Sequence, residues 1–283
     1  MSKIVKNSLC VILSMFFLSA CSFNFFYNNL AWLSDWYLDD YVTLNAEQQQ
    51  VFDSAFTEFH LWHRQTQLKE YRLQLTQFKT QVNRGISHDE VNAQVLSVRN
   101  HWILMREKAK PQLISLTRTL SAVQRQQVLN QIDSLNRERM EDHEQLTKAQ
   151  WHKKSCTERQ VQFKKWLGKL NPAQKLAICK ISQAFSSTFE DRSAYRLKWH
   201  AGLQHALSMD LSKQSYEAMF TELISNPDAL KSEKYVTLSN NNTVAFIKIF
   251  HHIMNNLTDK QRKRFNKRLN NIIDDLNVLE RGD

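Results

Sequence analysis

Three groupings of side chains are equipped for chemistry. His60-x-x-His63, with Glu58 beside it, puts two imidazoles on neighbouring positions of a helix, a spacing from which a divalent metal is held. No third ligand stands near, no HExxH occurs, and no Glu-x-x-His pair of the bundle di-metal type exists. The pair therefore reads as surface or satisfied core, and no metal is expected. Asp35 and Asp39, at i and i+4, form a carboxylate pair that could divide acid and base work. The competing reading is the solvated face of an aromatic-anchored helix. Nucleophile elbows and phosphate loops need glycines, and the chain holds 4 Gly and 3 Pro in 283 residues. No catalytic residue and no cofactor is assigned, and the protein is read as not an enzyme.

The third grouping is the four cysteines. Lys3 and Lys6 precede an apolar run, Leu9 to Leu18, too short to span a bilayer, and the small residues Ser19 and Ala20 lead to Cys21. Leu18-Ser19-Ala20-Cys21 resembles the lipobox of bacterial lipoproteins, in which the chain is cut before the cysteine and the cysteine is acylated. That resemblance implies a cleaved signal peptide over 1–20, lipid attachment at Cys21, and, with Ser22 following, an outer-membrane destination. The other reading is an ordinary secretory signal that leaves Cys21 free. Multiple acyl chains hold a protein stably where one chain does not. Cys10 leaves with the signal, so Cys156 and Cys179 remain on either side of a hairpin near Gly168–Asn171. A disulfide and two buried thiols both stay open, because the unequal distances from the turn stagger the pair by about 6 Å.

Charge narrows the partners. The formal net charge is +10, which invites a nucleic-acid reading, but the compartment implied by the signal makes anionic lipid or acidic polypeptide the better match. The densest run is Lys260, Arg262, Lys263, Arg264, Lys267 and Arg268. It reads as a solvated helix face or as a docking surface for an anionic partner.

The scarcity of Gly and Pro also decides the fold class: all-α, an elongated antiparallel helical bundle with long helices and short loops. The strongest pattern runs from Asn45 to about Arg84, with Phe52, Phe56, Phe59, Trp62, Leu68, Tyr71, Leu75, Phe78 and Val82 on one stripe, ended by Gly85. Ser87-His88-Asp89-Glu90 opens the next helix as a capping box, and Pro111 is expected to kink or break it. Further helices are read at 121–145, 147–167, 171 to about 207, 213–225, roughly 240–256 and 258–280, with loops at Asn226-Pro227 and Ser239–Asn242. The domain reading is 1–20 signal, 21–44 anchored N-terminus with an aromatic-acidic helix, and 45–283 helical bundle.

One element recurs: Leu, then Asn/Ser/Thr, two residues, then Gln. It stands at Leu44–Gln48, Leu120–Gln124, Leu146–Gln150, Leu170–Gln174 and Leu257–Gln261. Composition alone predicts about 0.6 such matches. Physically it is a helix start, with the polar residue as N-cap and Gln at N3 closing a capping box. Its LTKAQ and LTDKQ copies resemble the LTxxQ signature of Spy/CpxP-type ATP-independent periplasmic chaperones, small basic helical cradles that hold unfolded clients. This chain departs from them in its length, its lipobox and its five copies.

A broader resemblance rests on the lipobox, the opening YNNLAWLSDWYLDDYVTLNAEQQ, the WLGKLNPAQ hairpin and the closing NLTDKQRKRFNKRLNNIIDDL. Together they are similar to an uncharacterised proteobacterial lipoprotein family, a domain of unknown function. The resemblance implies envelope location and helical architecture and brings no catalytic residues. The expected function is a lipid-anchored, periplasm-facing outer-membrane lipoprotein with a binding or chaperone-like role toward a protein client. The alternatives are a structural or assembly partner of one envelope complex and an enzyme of unrecognised type.

Overall fold

The computed structural model describes residues 20–208 and 211–282, with side chains from Asn24 onward. Residues 1–19, on which the signal reading falls, and the side chain of Cys21 lie outside what is described. The helices in chain order are α1 (Ala20–Asn28), α2 (Leu30–Asp39), α3 (Ala46–Trp62), a π-helical turn (His63–Gln67), α4 (Leu68–Arg84), α5 (His88–Arg118), α6 (Ala122–Glu141) and α7 (Lys148–Leu167). There follow α8 (Pro172–Ser182), α9 (Phe189–Ser208), α10 (Lys213–Ser225), a 3-10 turn (Pro227–Leu230), α11 (Glu233–Asn255) and α12 (Asp259–Arg281). No strand occurs among the described residues, and the all-α bundle class holds.

All five repeated elements start helices. Asn45, Ser121, Thr147, Asn171 and Thr258 are N-caps whose side chains accept from the N3 amide while the N3 Gln accepts from the cap amide. Ser87 and Glu90 do the same for α5. Gly85 ends α4 and Gly168 ends α7 at φ 92° and 80°, a region open to residues without a Cβ.

Two cores make the bundle long. The first joins α4, α7, α8, α11 and α12 through Val82, Leu167, Ile178, Ile249, Ile253 and Leu269. The second joins α5, α6, α9 and α10 through Ile114, Leu129, Leu203, Ala206 and Phe220. α5 ties them together, with Val91 in one core and Ile114 in the other, a span of about 35 Å at helical rise. α4 and α12 run antiparallel, joined by Asn83–Asn266, Lys79–Asn270 and Arg72–Glu280. A third, smaller cluster fastens α1 to this pair: Tyr27 is buried against Leu68, Leu276 and Leu279.

Four details differ from the sequence expectations. α5 continues through Pro111 to Arg118; proline removes one donor but does not end a helix already held by packing on both sides. The expected 171–207 helix is interrupted between Ser182 and Phe189. At this break the Asn242 side chain accepts from the Ser186 amide and donates to its carbonyl, both at 2.9 Å. For the same reason the Asn-rich 239–242 stretch is not a loop: it lies inside α11, where its asparagine caps a neighbour's frayed backbone. Finally, the aromatic stripe is only partly core. Leu68 and Val82 are buried, whereas Phe52, Phe56, Phe59 and Trp62 are half-exposed. α12 ends near Arg64, so α3 beyond the π turn lies outside the reach of α12 and packs mainly on α5 and α2.

Candidate functional site

An apolar concavity lies on the first core. α4 contributes Leu75 and Phe78, α11 contributes Phe246 and Phe250, α7 contributes Phe163 and Trp166, and α12 contributes Phe265 and Leu269, around a cavity of about 420 Å³. A second cavity of about 350 Å³ shares Leu75, Phe78, Phe246 and Phe250 and continues onto α5 through Val91, Val95 and Val98. The two form one groove with Phe78 and Phe250 at its floor, their rings 5.7 Å apart. Phe246 stands at the rim, 43% exposed. Such a patch on a soluble surface marks an interaction site more often than an ordinary exterior. Arg159 lies at one edge, its guanidinium 3.5 Å over the Phe185 ring, and Arg268 lies 5.9 Å over Trp166. The groove is thus apolar within and cationic at its lip.

The basic run of α12 does not form one surface. Arg262 donates to the Val82 carbonyl at 3.0 Å. Arg264 lies against Gly168, and a Cβ there would meet its Cδ at 3.3 Å. Lys260, Lys263 and Lys267 face outward, and Arg268 reaches a groove residue, its guanidinium 5.9 Å from the centroid of the Trp166 ring. Periodicity could have separated these faces; counting charge in a linear run could not.

Cys156 and Cys179 are joined, with Cα atoms 4.9 Å apart. The 6 Å stagger assumed helices lying side by side along parallel axes; α7 and α8 approach closely enough here to close the bond. The Gln160 amide donates to both sulphurs, at 3.4 and 3.1 Å. The bond braces the α7 wall that carries Arg159, Phe163 and Trp166.

His60 and His63 do not share a ligand site. Glu58 pairs with Lys108 at 2.8 Å. His63 lies in the π turn, with Nδ1 2.9 Å from the Tyr27 hydroxyl and Nε2 3.2 Å from that of Tyr71. Burial is the main cause that pushes the His63 imidazole down to about 4, with the nearby His60 adding to it. Burial also lowers His60 and His101. A depressed histidine is neutral in the folded chain but protonates on unfolding, so its contribution is present above pH 6.5 and is lost as pH falls from about 6.5 to 4. For His63 we expect a loss of about 2 kcal/mol across that window, below the full linkage value because the ring keeps some solvent contact. Denaturant titrations at pH 7 and pH 4.5 measure it; an unchanged slope in His63→Asn would refute the assignment. Asp35 accepts from Gln49 at 3.1 Å, and Gln49 also reaches Asp53 at 2.7 Å, so Asp35 belongs to a structural bridge between α2 and α3 rather than to a pair with Asp39.

The sequence reading missed what the repeated glutamines do beyond capping. Gln174 and Gln261 each donate to the other's Oε1, at 2.8 and 2.9 Å. Each also donates to the carbonyl just before the partner's leucine: Gln174 to Asn256 and Gln261 to Lys169, at 3.0 and 2.9 Å. With the capping bonds, all four hydrogen-bonding positions of both carboxamides are filled. Gln48 and Gln124 repeat the pattern, exchanging bonds of 3.1 and 2.6 Å and donating to Thr119 and Thr43. Only an amide can do this, since glutamate lacks the donor; Glu90, in the Ser87 box, pairs instead with Arg84. The signal was present in the choice of Gln over Glu at N3 in all five copies.

No helix among the described residues is long and apolar enough to cross a membrane. No curated protein and no solved structure matches the chain. A family model described as a family of unknown function, DUF6279, matches residues 40–236, a span that holds four of the five glutamine elements and the second core entire while leaving α12 outside. By the extent of that match, the chain belongs to the DUF6279 family.

Proposed function

We propose that this protein is a lipid-anchored, periplasm-facing lipoprotein of the outer membrane that holds extended apolar segments of other polypeptides in the α4–α7–α11–α12 groove, without catalysis. The observation that carries the binding role is the groove itself: a continuous aromatic floor, open at Phe246, with arginines at its lip. Apolar side chains of an unfolded client would bury there, while the basic rim steers acidic or disordered chains toward it. The LTxxQ resemblance points to the same class of activity.

The anchor rests on the lipobox ending at Cys21. Directly after it, Phe25, Phe26, Trp32 and Trp36 are exposed while Tyr27 is buried in the body. Aromatic rings so placed suit a membrane interface, where an amphipathic ring sits at headgroup depth. Cys21→Ser is expected to move the protein from the membrane pellet to the soluble fraction; firm retention in the pellet would sink the lipoprotein reading.

Holding is tested on the lipid-free 22–283 chain. It should slow aggregation of an unrelated unfolding protein without ATP, at near-stoichiometric ratio. Phe246→Asp should weaken that effect at unchanged helicity. Failure of the unaltered chain at severalfold excess would replace this reading with that of a partner to one envelope complex.

A further inference from the structure

Five copies of one element occur, and four of them are used up in two reciprocal pairs. The fifth, Leu146–Gln150, closes its own box: the Thr147 amide donates to Gln150 Oε1 at 2.9 Å, and the Gln150 amide to Thr147 Oγ1 at 3.3 Å. Its outward half is unused. Gln150 Nε2 has no acceptor, and the Gln145 carbonyl has no donor, among the described residues. That carbonyl is the counterpart of those of Thr43, Thr119, Lys169 and Asn256, each of which accepts a bond in the paired copies.

We propose that the Leu146–Gln150 element is a self-association surface whose occupant is the same element of a second copy of this chain. Each internal pair is reciprocal: both glutamines give and take the same bonds, so the arrangement has local two-fold character. An element of this kind is complementary to itself, which is the condition a two-fold interface imposes. In the dimer Gln150 of each copy donates to Oε1 of the partner's Gln150 and to the carbonyl of the partner's Gln145.

The surroundings fit this use. In three of the paired copies the glutamine is buried and in the fourth half-buried, whereas Gln150 is exposed. Each pair holds one buried leucine, Leu120 or Leu170, and one half-buried, Leu44 or Leu257; Leu146 is half-buried like the latter. It borders a shallow concavity of about 390 Å³ lined by Glu144, Gln150, Lys153 and Lys154, with room for the partner's leucine. The Lys154–Glu144 ion pair at 3.0 Å puts both signs of charge at the edge, so a two-fold copy can set opposite charges against each other.

Sedimentation of the full chain in detergent, unaltered and as Gln150→Glu, tests this. Glutamate keeps the box closed, as Glu90 does, but removes the donor and brings two carboxylates together at the two-fold. The unaltered chain should show a concentration-dependent dimer, and Gln150→Glu should weaken it about a hundredfold with an unchanged melting temperature. A chain that stays monomeric at about 100 μM, or a dimer that Gln150→Glu leaves intact, overturns the proposal. So does a photo-crosslinker replacing Ala149 that joins a different protein and not a second copy.

Discussion

Gln174→Ala is expected to destabilise the fold by about 3–5 kcal/mol, a loss usually reserved for large core truncations. The side chain is 2% exposed, and its removal strands four groups at once: one donor and one acceptor of Gln261, the Asn256 carbonyl and the Asn171 amide. A buried polar group left without a partner costs about 1–3 kcal/mol, whereas a satisfied bond contributes only about 1. Gln150→Ala provides the contrast. It breaks the same capping box with no pairing behind it, so in the monomer it should cost about 0.5 kcal/mol. Denaturant titration of both variants measures the difference. Equal losses would mean that capping, not pairing, is what these glutamines contribute.

Removing the disulfide comes next in size. Cys156 and Cys179 close a loop with a sequence separation of 23, and loop-closure entropy assigns a link of that length about 3 kcal/mol. The double substitution Cys156→Ala, Cys179→Ala should therefore lower stability by about that amount, and reducing agent should reproduce it in the unaltered chain. The α7–α8 hairpin carries one wall of the aromatic groove, so client holding should weaken in parallel. A reductant-insensitive melting temperature would refute the bond's contribution.

Much of the fold was written in local signals. Capping residues at Asn45, Ser87, Ser121, Thr147, Asn171 and Thr258 are read by their own backbone within three residues, so these helix starts were legible. What failed depends on distant partners. The Ser186-Ser187-Thr188 cluster before Glu190 is a weak local sign of a break, and the group that satisfies it, Asn242, lies 56 positions on. Phe59 and Trp62 carry the same pattern as Phe78 and Val82, yet α12 stops short of them. The groove was invisible for a related reason: the spacing of Phe78 reads as core, and only the packing of four helices leaves it and Phe246 partly uncovered. The basic run was legible as charge but not as a face, since Arg262 and Arg264 turn out to serve backbone and turn.

The paired glutamines also bear on the order in which the chain folds. Their exchanged bonds close across 76 and 87 positions, so no amide can meet its mate until the intervening helices have formed and docked. Interactions that arise after the transition state leave the folding rate nearly untouched and slow unfolding instead. The two pairs thus act as latches on an assembled bundle, and their contribution should appear in how long the native state persists rather than in how fast it is reached.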